Sequence, residues 1–257
     1  MSGIRLVTRA DDAGMHTVAN HAIHDTVTEG IVRNISLMAP TPAIRNAWEL
    51  LGDLGDRADF GLHVTLTAEW YTLRWRPLVT GERTKSFVRP DGTMHYTVDD
   101  LIDASPDVDA LMEEVDAQYE LLTNLGFELR YLDTHMGVDR VPGLADRIAE
   151  FCAQKKLVNN RELFDSGRIE RLPDWGGPGE HPGTELADHL AQVASGTYLL
   201  VGHPATKDEA IHHIRHEGLA PGDVAMQRNR QRRMFMDIEI LDYCENVGIE
   251  LLRYTDL

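Results

Sequence analysis

Thr8-Arg9-Ala10-Asp11-Asp12-Ala13-Gly14 is the stretch whose reading decides the fold. The apolar run Ile4 to Val7 before it reads as a buried strand. After it, Val18, Ala22, Ile23 and Val27 recur at helical spacing and predict a helix over residues 15–29 that stops at Gly30. Two adjacent carboxylates therefore sit where a strand over about residues 4–9 gives way to a turn opened by Gly14. That edge is where α/β proteins build their sites. Adjacent acids repel, so a positive partner is expected, and a divalent metal would serve. A plainer reading has Asp12 capping the helix that follows.

Outward from this stretch, strand and helix keep alternating. Further strands are expected at residues 34–38, 60–66, 129–133, 157–159, 197–201 and 249–254. Helices are expected from Pro42 to Leu51, and over residues 108–125, 142–155, 185–194 and 234–247. Residues 160–182, rich in Gly and Pro, read as loop. About seven strands in this order imply a parallel sheet with right-handed crossovers. An open doubly wound sheet and a barrel both fit such an order. The absence of two clear halves and of a glycine-rich dinucleotide loop favours a distorted (β/α) TIM-like barrel. One domain over residues 1–257 accounts for the whole chain. Its one long interruption is residues 68–105, with Trp70, Tyr71, Trp75, Phe87, Tyr96 and a hairpin signal at Pro90-Asp91-Gly92. An insertion of this length reads either as a lid or binding element or as a structural flap over one end of the barrel.

Composition narrows the partners. Hydrophobic residues make up 42% of the 257 and charged residues 26%, as in an ordinary globular protein. A net charge of −17 argues against nucleic acid, polyanions or an anionic membrane surface as partners, and fits a neutral or cationic small molecule. Cys152 and Cys244 are far apart, in no metal-ligand spacing, and within apolar helical patterns. Buried free thiols in a reducing compartment are expected. No run is long enough to span a membrane, and acids at Asp11 and Asp12 interrupt any signal-peptide core, so a cytoplasmic location is expected.

Three histidines join the acids. His63, His135 and His203 each stand at the C-terminal end of an apolar strand-like run, the end that also carries Asp11 and Asp12. Catalytic groups of barrels come from the ends of several strands. Two imidazoles and one carboxylate make a facial triad with open positions for a divalent ion and its water. One aspartate is then a ligand, and the other is free to act as general base. His203 could protonate a leaving group. Asp133, two residues before His135, is placed to orient an imidazole. His16 is near enough to line the pocket. His212, His213 and His216 read as a solvated cluster on a polar helix, and Arg228 to Arg233 as a solvated helical face.

These motifs resemble the YdjC-like carbohydrate deacetylases, the family that includes chitooligosaccharide deacetylases. The resemblance runs through Ala10-Asp11-Asp12-Ala13-Gly14, Gly61-Leu62-His63-Val64-Thr65-Leu66-Thr67, Leu132-Asp133-Thr134-His135 and Gly202-His203-Pro204. It implies a distorted barrel, with one divalent metal held by Asp12, His63 and His135. It implies Asp11 as base, His203 near the leaving group, and hydrolysis of an N-acetyl group from a sugar, often in a homodimer. Trp70 or Trp75 would stack on sugar rings. The ligand types favour Zn, Mn or Co, while the resemblance leaves Mg open. Arg9, Ala13, Gly137 and Ala205 depart from the family's usual residues; an inward-pointing Arg9 would lower the pKa values of the aspartates. Two other readings share the triad: a barrel amidohydrolase or sugar isomerase, and a non-catalytic sugar-binding relative.

Overall fold

A computed structural model describes residues 3–257. It begins with β1 (Ile4–Ala13), α1 (Thr17–Thr28), β2 (Asn34–Leu37), α2 (Ile44–Leu51) and β3 (Asp59–Val64). The insertion follows and contributes α3 (Val98–Asp103). Then come α4 (Val108–Leu125), β4 (Leu129–Thr134), α5 (Leu144–Lys155), β5 (Val158–Asn159), α6 (Asn160–Asp165) and β6 (Glu170–Arg171). The chain continues through α7 (Pro182–Leu190), β7 (Gly196–Gly202), α8 (Asp223–Met236), α9 (Ile238–Val247) and β8 (Glu250–Leu252).

Seven strands pair in parallel in the order β5-β4-β3-β2-β1-β7-β6 and curl into an incomplete barrel with helices outside. No pairing joins β5 to β6 among the described residues, so the barrel stays open there. The eighth strand is short and shares an edge: β8 pairs with Arg5–Val7 of β1, and β2 takes the same edge further on. From Leu6 onward every residue of β1 is buried, as expected of a parallel strand covered on both faces. The helices pack on it through one stripe each: Ala19, Ile23 and Val27 on α1, Leu111, Val115 and Leu122 on α4. Asp107 caps α4 at its start, and Gly126, at φ 115°, closes it.

Three local expectations are corrected. β1 runs on to Ala13, so Asp11 and Asp12 lie inside the strand rather than in the turn after it. α1 ends at Thr28, and Gly30 is needed for another reason: a Cβ there would sit 2.5 Å from the Phe235 carbonyl oxygen. Residues 160–182 hold α6 and β6, elements too short for any periodicity to announce.

The insertion is docked, not loose. The hairpin turn forms, with Val88 bridged to Met94 and the Arg89 N–H donating to the Thr93 carbonyl. Trp75, Phe87 and Met94 are buried. Glu114 of α4 accepts from the Leu78 and Val79 N–H groups at 2.8 and 3.0 Å and from Gln118 Nε2 at 2.8 Å. Gln118 bonds both the N–H and the carbonyl of Thr65. This buried strut fastens the insertion to the C-terminal end of β3, two residues from His63.

Candidate metal-binding active site

The ends of β1, β3, β4 and β7 deliver their polar residues to one cavity of about 710 Å³, within the size range of small-molecule sites. Asp12 has φ 67°, a left-handed conformation costing a non-glycine residue on the order of 1 kcal/mol. Asp12 does not cap α1; His16 does, its Nδ1 accepting from the Val18 N–H at 3.2 Å.

The β3–β4 register sets His63 beside Asp133, and His63 Nδ1 lies 2.9 Å from Asp133 Oδ2. A carboxylate there accepts a hydrogen bond from Nδ1–H and leaves the Nε2 lone pair free. His135 is backed the same way: its Nε2 lies 3.0 Å from Glu69 Oε2, which leaves Nδ1. The two freed nitrogens are 3.3 Å apart. Asp12 Oδ1 stands 3.5 Å from His135 Nδ1 and 3.7 Å from His63 Nε2, buried and without a hydrogen-bond partner. Three ligands each about 2.1 Å from one ion, at tetrahedral angles, are roughly 3.4 Å apart. The donor set and spacing fit a divalent metal.

Charge supports the fit. Asp11, Asp12 and Asp133 crowd around two guanidiniums, those of Arg9 and Arg228, and Glu69 sits against His135. Protons answer the excess. Burial disfavours the His135 imidazolium, but Glu69 and Asp12 outweigh it and pull its pKa up to about 10. His63 is raised against its own burial by Asp133 and Asp11. A divalent ion would carry the same two charges.

Arg9 points inward and decides which aspartate faces that ion. Its Nε and Nη2 donate to the two oxygens of Asp11 at 2.6 and 2.9 Å, and Nη2 lies 3.0 Å from Asp133 Oδ2. Nη1 donates to Tyr254 Oη at 2.9 Å. The second cluster of close ligand atoms, Asp11, His63 and Asp133, thus already holds a cation. Burial works against ionisation of Asp133, but Arg9 and His63 hold its pKa below the usual range. For Asp12, Arg228 plays that part from the other side: Nη2 donates to Oδ2 at 2.5 Å and depresses the pKa despite burial.

Arg228 corrects the reading of residues 228–233 as a solvated face. It is 6% exposed and lines the cavity. One turn on, Gln231 Oε1 accepts from the His203 backbone N–H at 2.5 Å and lies 3.2 Å from its Nδ1. The N–H fixes Oε1 as an acceptor, so Nδ1 must donate and Nε2 is left for the cavity. Burial lowers the His203 pKa, Asp12 opposes, and Arg228 adds to the lowering.

Of the aromatic candidates, Trp70 lines the cavity, stacked on His216 at 5.5 Å. Trp75 and His16 do not line it; Trp75 is core, its Nε1 donating to the Thr67 carbonyl at 2.8 Å. His216 belongs to an irregular segment rather than a helix. Tyr71, 46% exposed, and Met136, at φ 55°, also line the cavity. Sequence reasoning missed Glu69, Arg228 and Gln231. For Arg228 the one available signal was its i, i+3 spacing from Gln231 on a helix with few apolar residues.

A sequence model of the YdjC-like protein family matches residues 5–246. The chain belongs to that family. Among its relatives, a carbohydrate deacetylase of Thermoanaerobacter pseudethanolicus is 24% identical over 267 aligned positions, covering 98% of each chain. A carbohydrate deacetylase of Vibrio cholerae is 32% identical over 164 residues, 64% of this chain and 61% of that one. A crystal structure of an Enterococcus faecalis V583 protein, provisionally named for cellobiose-phosphate cleavage, superposes with a TM-score of 0.78 at 18% identity, covering 98% of both chains. No helix among the described residues is long and apolar enough to cross a membrane.

Proposed function

We propose that this protein is a metal-dependent hydrolase that removes N-acetyl groups from amino sugars or chitooligosaccharides. One observation carries the reading: Asp12 Oδ1, His63 Nε2 and His135 Nδ1 converge, 3.3 to 3.7 Å apart, on the wall of a sugar-sized cavity. Relatives named carbohydrate deacetylase support the substrate class. Those three residues would hold one divalent ion, with Zn, Mg, Mn and Co as candidates. When bound, such an ion polarises an acetamide carbonyl and acidifies water.

The chain's own groups supply the rest. Asp11 takes the proton of the attacking water; each of its oxygens gives one lone pair to Arg9 and keeps another. His203 presents Nε2 to the cavity; once that nitrogen is protonated, a charge that Asp12 favours against burial and Arg228, it delivers the proton to the departing amine. Asp133 fixes the His63 tautomer, and Arg9 fixes Asp11 and Asp133. Trp70 and Tyr71 offer apolar surface to the sugar. Buried free Cys152 and Cys244 support a cytoplasmic, reducing setting. The homodimer implied by the family resemblance belongs to the same proposal, and size-exclusion chromatography with light scattering tests it.

The test is acetate release from diacetylchitobiose and N-acetylglucosamine by metal-stripped protein reloaded with Zn, Mg, Mn or Co. The proposal expects metal-dependent release that His63→Ala abolishes. Absence of release with every ion, despite tight ion binding, would leave a metal-dependent barrel enzyme of another substrate.

A further inference from the structure

The helix wall of the cavity is built by one face of α8. Val224, Gln227, Arg228 and Gln231 recur at i, i+3, i+4 and i+7 and all line the cavity. Two of them are committed. Gln231 holds His203, and Arg228 Nη2 holds Asp12 Oδ2. The other terminal nitrogen of Arg228, Nη1, is buried and has no acceptor. A second buried donor without an acceptor is Nε1 of Trp70, a residue that lines the same cavity, and the Arg228 guanidinium carbon lies 5.6 Å from the Trp70 ring centre. Buried N–H groups left unpaired cost free energy, so each of these calls for an acceptor.

Asp12 identifies which acceptor. Its Oδ2 accepts from Arg228 while its Oδ1 faces His63 and His135. The guanidinium thus grips the far side of the very carboxylate that faces the metal-ligand triangle. An amide held at that triangle therefore has the Arg228 guanidinium as its neighbour across Asp12. We infer that Arg228 is a catalytic residue that donates Nη1–H to the acyl oxygen of the scissile amide and to the oxyanion that forms as water attacks. This inference rests on the deacetylase reading above. The planar fork suits the role, because one terminal nitrogen fixes Asp12 while the other stays free. No covalent bond to the protein forms. The carbonyl π electrons move onto the oxygen as water adds, Arg228 hydrogen-bonds that charge, and the electrons return as the C–N bond breaks.

Arg228→Lys tests it. Lysine keeps a cation against Asp12 but cannot span Asp12 and the acyl oxygen together. The account expects an intact fold by circular dichroism, a Zn dissociation constant within about threefold of wild type, and kcat lower by roughly 10²- to 10³-fold, the usual effect of removing one oxyanion donor. Two readouts separate this role from mere support of Asp12. An N-trifluoroacetyl sugar, whose oxyanion needs less help, recovers at least tenfold of the lost kcat. Acetate, which carries the same oxygen, binds Zn-loaded Arg228→Lys roughly tenfold or more weakly than wild type, as for a lost charge-assisted hydrogen bond. Wild-type kcat in the variant, an equal defect on both acyl groups, or a kcat loss matched by lost Zn affinity would each overturn the assignment. If Arg228→Lys misfolds, Arg228→Gln, which keeps an N–H donor but no charge, carries the same comparisons. A wild-type protein that releases no acetate would overturn the deacetylase reading itself and this inference with it.

Discussion

The cavity has two walls of different origin. One is the row of strand ends, with Asp11, Asp12, His63 and His135 at the cavity and Asp133 behind His63, set by the register of β1, β3 and β4. The other is assembled from α8 and the insertion, which contribute Arg228, Gln231, Glu69 and Trp70. The strand wall holds the groups that fit an ion. The helix and insertion wall sets their charge, tautomer and orientation: Glu69 backs His135, Arg228 pairs with Asp12, and Gln231 fixes His203. Ligands placed by a sheet are positioned by backbone register, whereas their partners reach in on side chains from a helix and a docked insertion. Each imidazole takes its carboxylate from a different wall, Asp133 for His63 and Glu69 for His135.

The largest effect that could break this division is on the strand wall. His63→Ala removes one of the three proposed ligands and is expected to lower metal-dependent acetate release by at least about 10³-fold, the equivalent of several kcal/mol of lost transition-state stabilisation. A variant that keeps full release would place the ion elsewhere. Arg9→Met leaves Asp11 a buried charge without its partner and Asp133 with His63 alone, and is expected to cost about 3–5 kcal/mol in urea unfolding of the metal-free protein. A loss under 1 kcal/mol would show that the inner salt bridges do not hold the strand wall together.

Glu69→Gln and Asp133→Asn sharpen the comparison directly. Both weaken carboxylate support of an imidazole, and each is expected to reduce Zn affinity roughly 10- to 100-fold by calorimetry. Equal losses would make the insertion as much a part of the centre as the barrel. A loss confined to Asp133→Asn would reduce the insertion to a cover.

The smallest effect is with pH. His135, with a pKa of about 10 in the folded metal-free protein against 6.5 for a free imidazole, binds its proton more tightly when folded. Its contribution to stability is complete below about pH 6.5 and is lost as pH rises toward 10. Metal binding must displace that proton, so affinity rises over the same range. The gap in Tm between Zn-loaded and chelator-treated protein is therefore expected to widen from pH 6.5 to 9. A constant gap would remove the proton competition.

The two walls also differ in how far the sequence discloses them. The strand wall is legible because each functional residue follows an apolar run: Asp11 and Asp12 after Ile4 to Val7, His135 after Leu129 to Asp133, His203 after Thr197 to Val201. A run of that kind reports burial and direction together. The other wall sends no such signal. Arg228 sits in Arg228-Asn229-Arg230-Gln231-Arg232-Arg233, which has the composition of a solvated helix. Only tertiary packing shows that one turn of it faces Asp12. Glu69 lies in a segment without periodicity, and its position depends on the Glu114–Gln118 strut from α4. The barrel was legible as alternation; β6 and the opening beside β5 were not, since two-residue strands carry no pattern. Trp75, chosen as a sugar platform for its chemistry, is core because the docked insertion buries it.

The most direct test of the central claim is a calorimetric titration of Zn into metal-stripped wild type, His63→Ala and Asp12→Ala. The account predicts one tight site in the wild type and its loss in both variants, with far-UV spectra unchanged. Tight binding that survives either substitution, or a wild type that binds no ion, would contradict it.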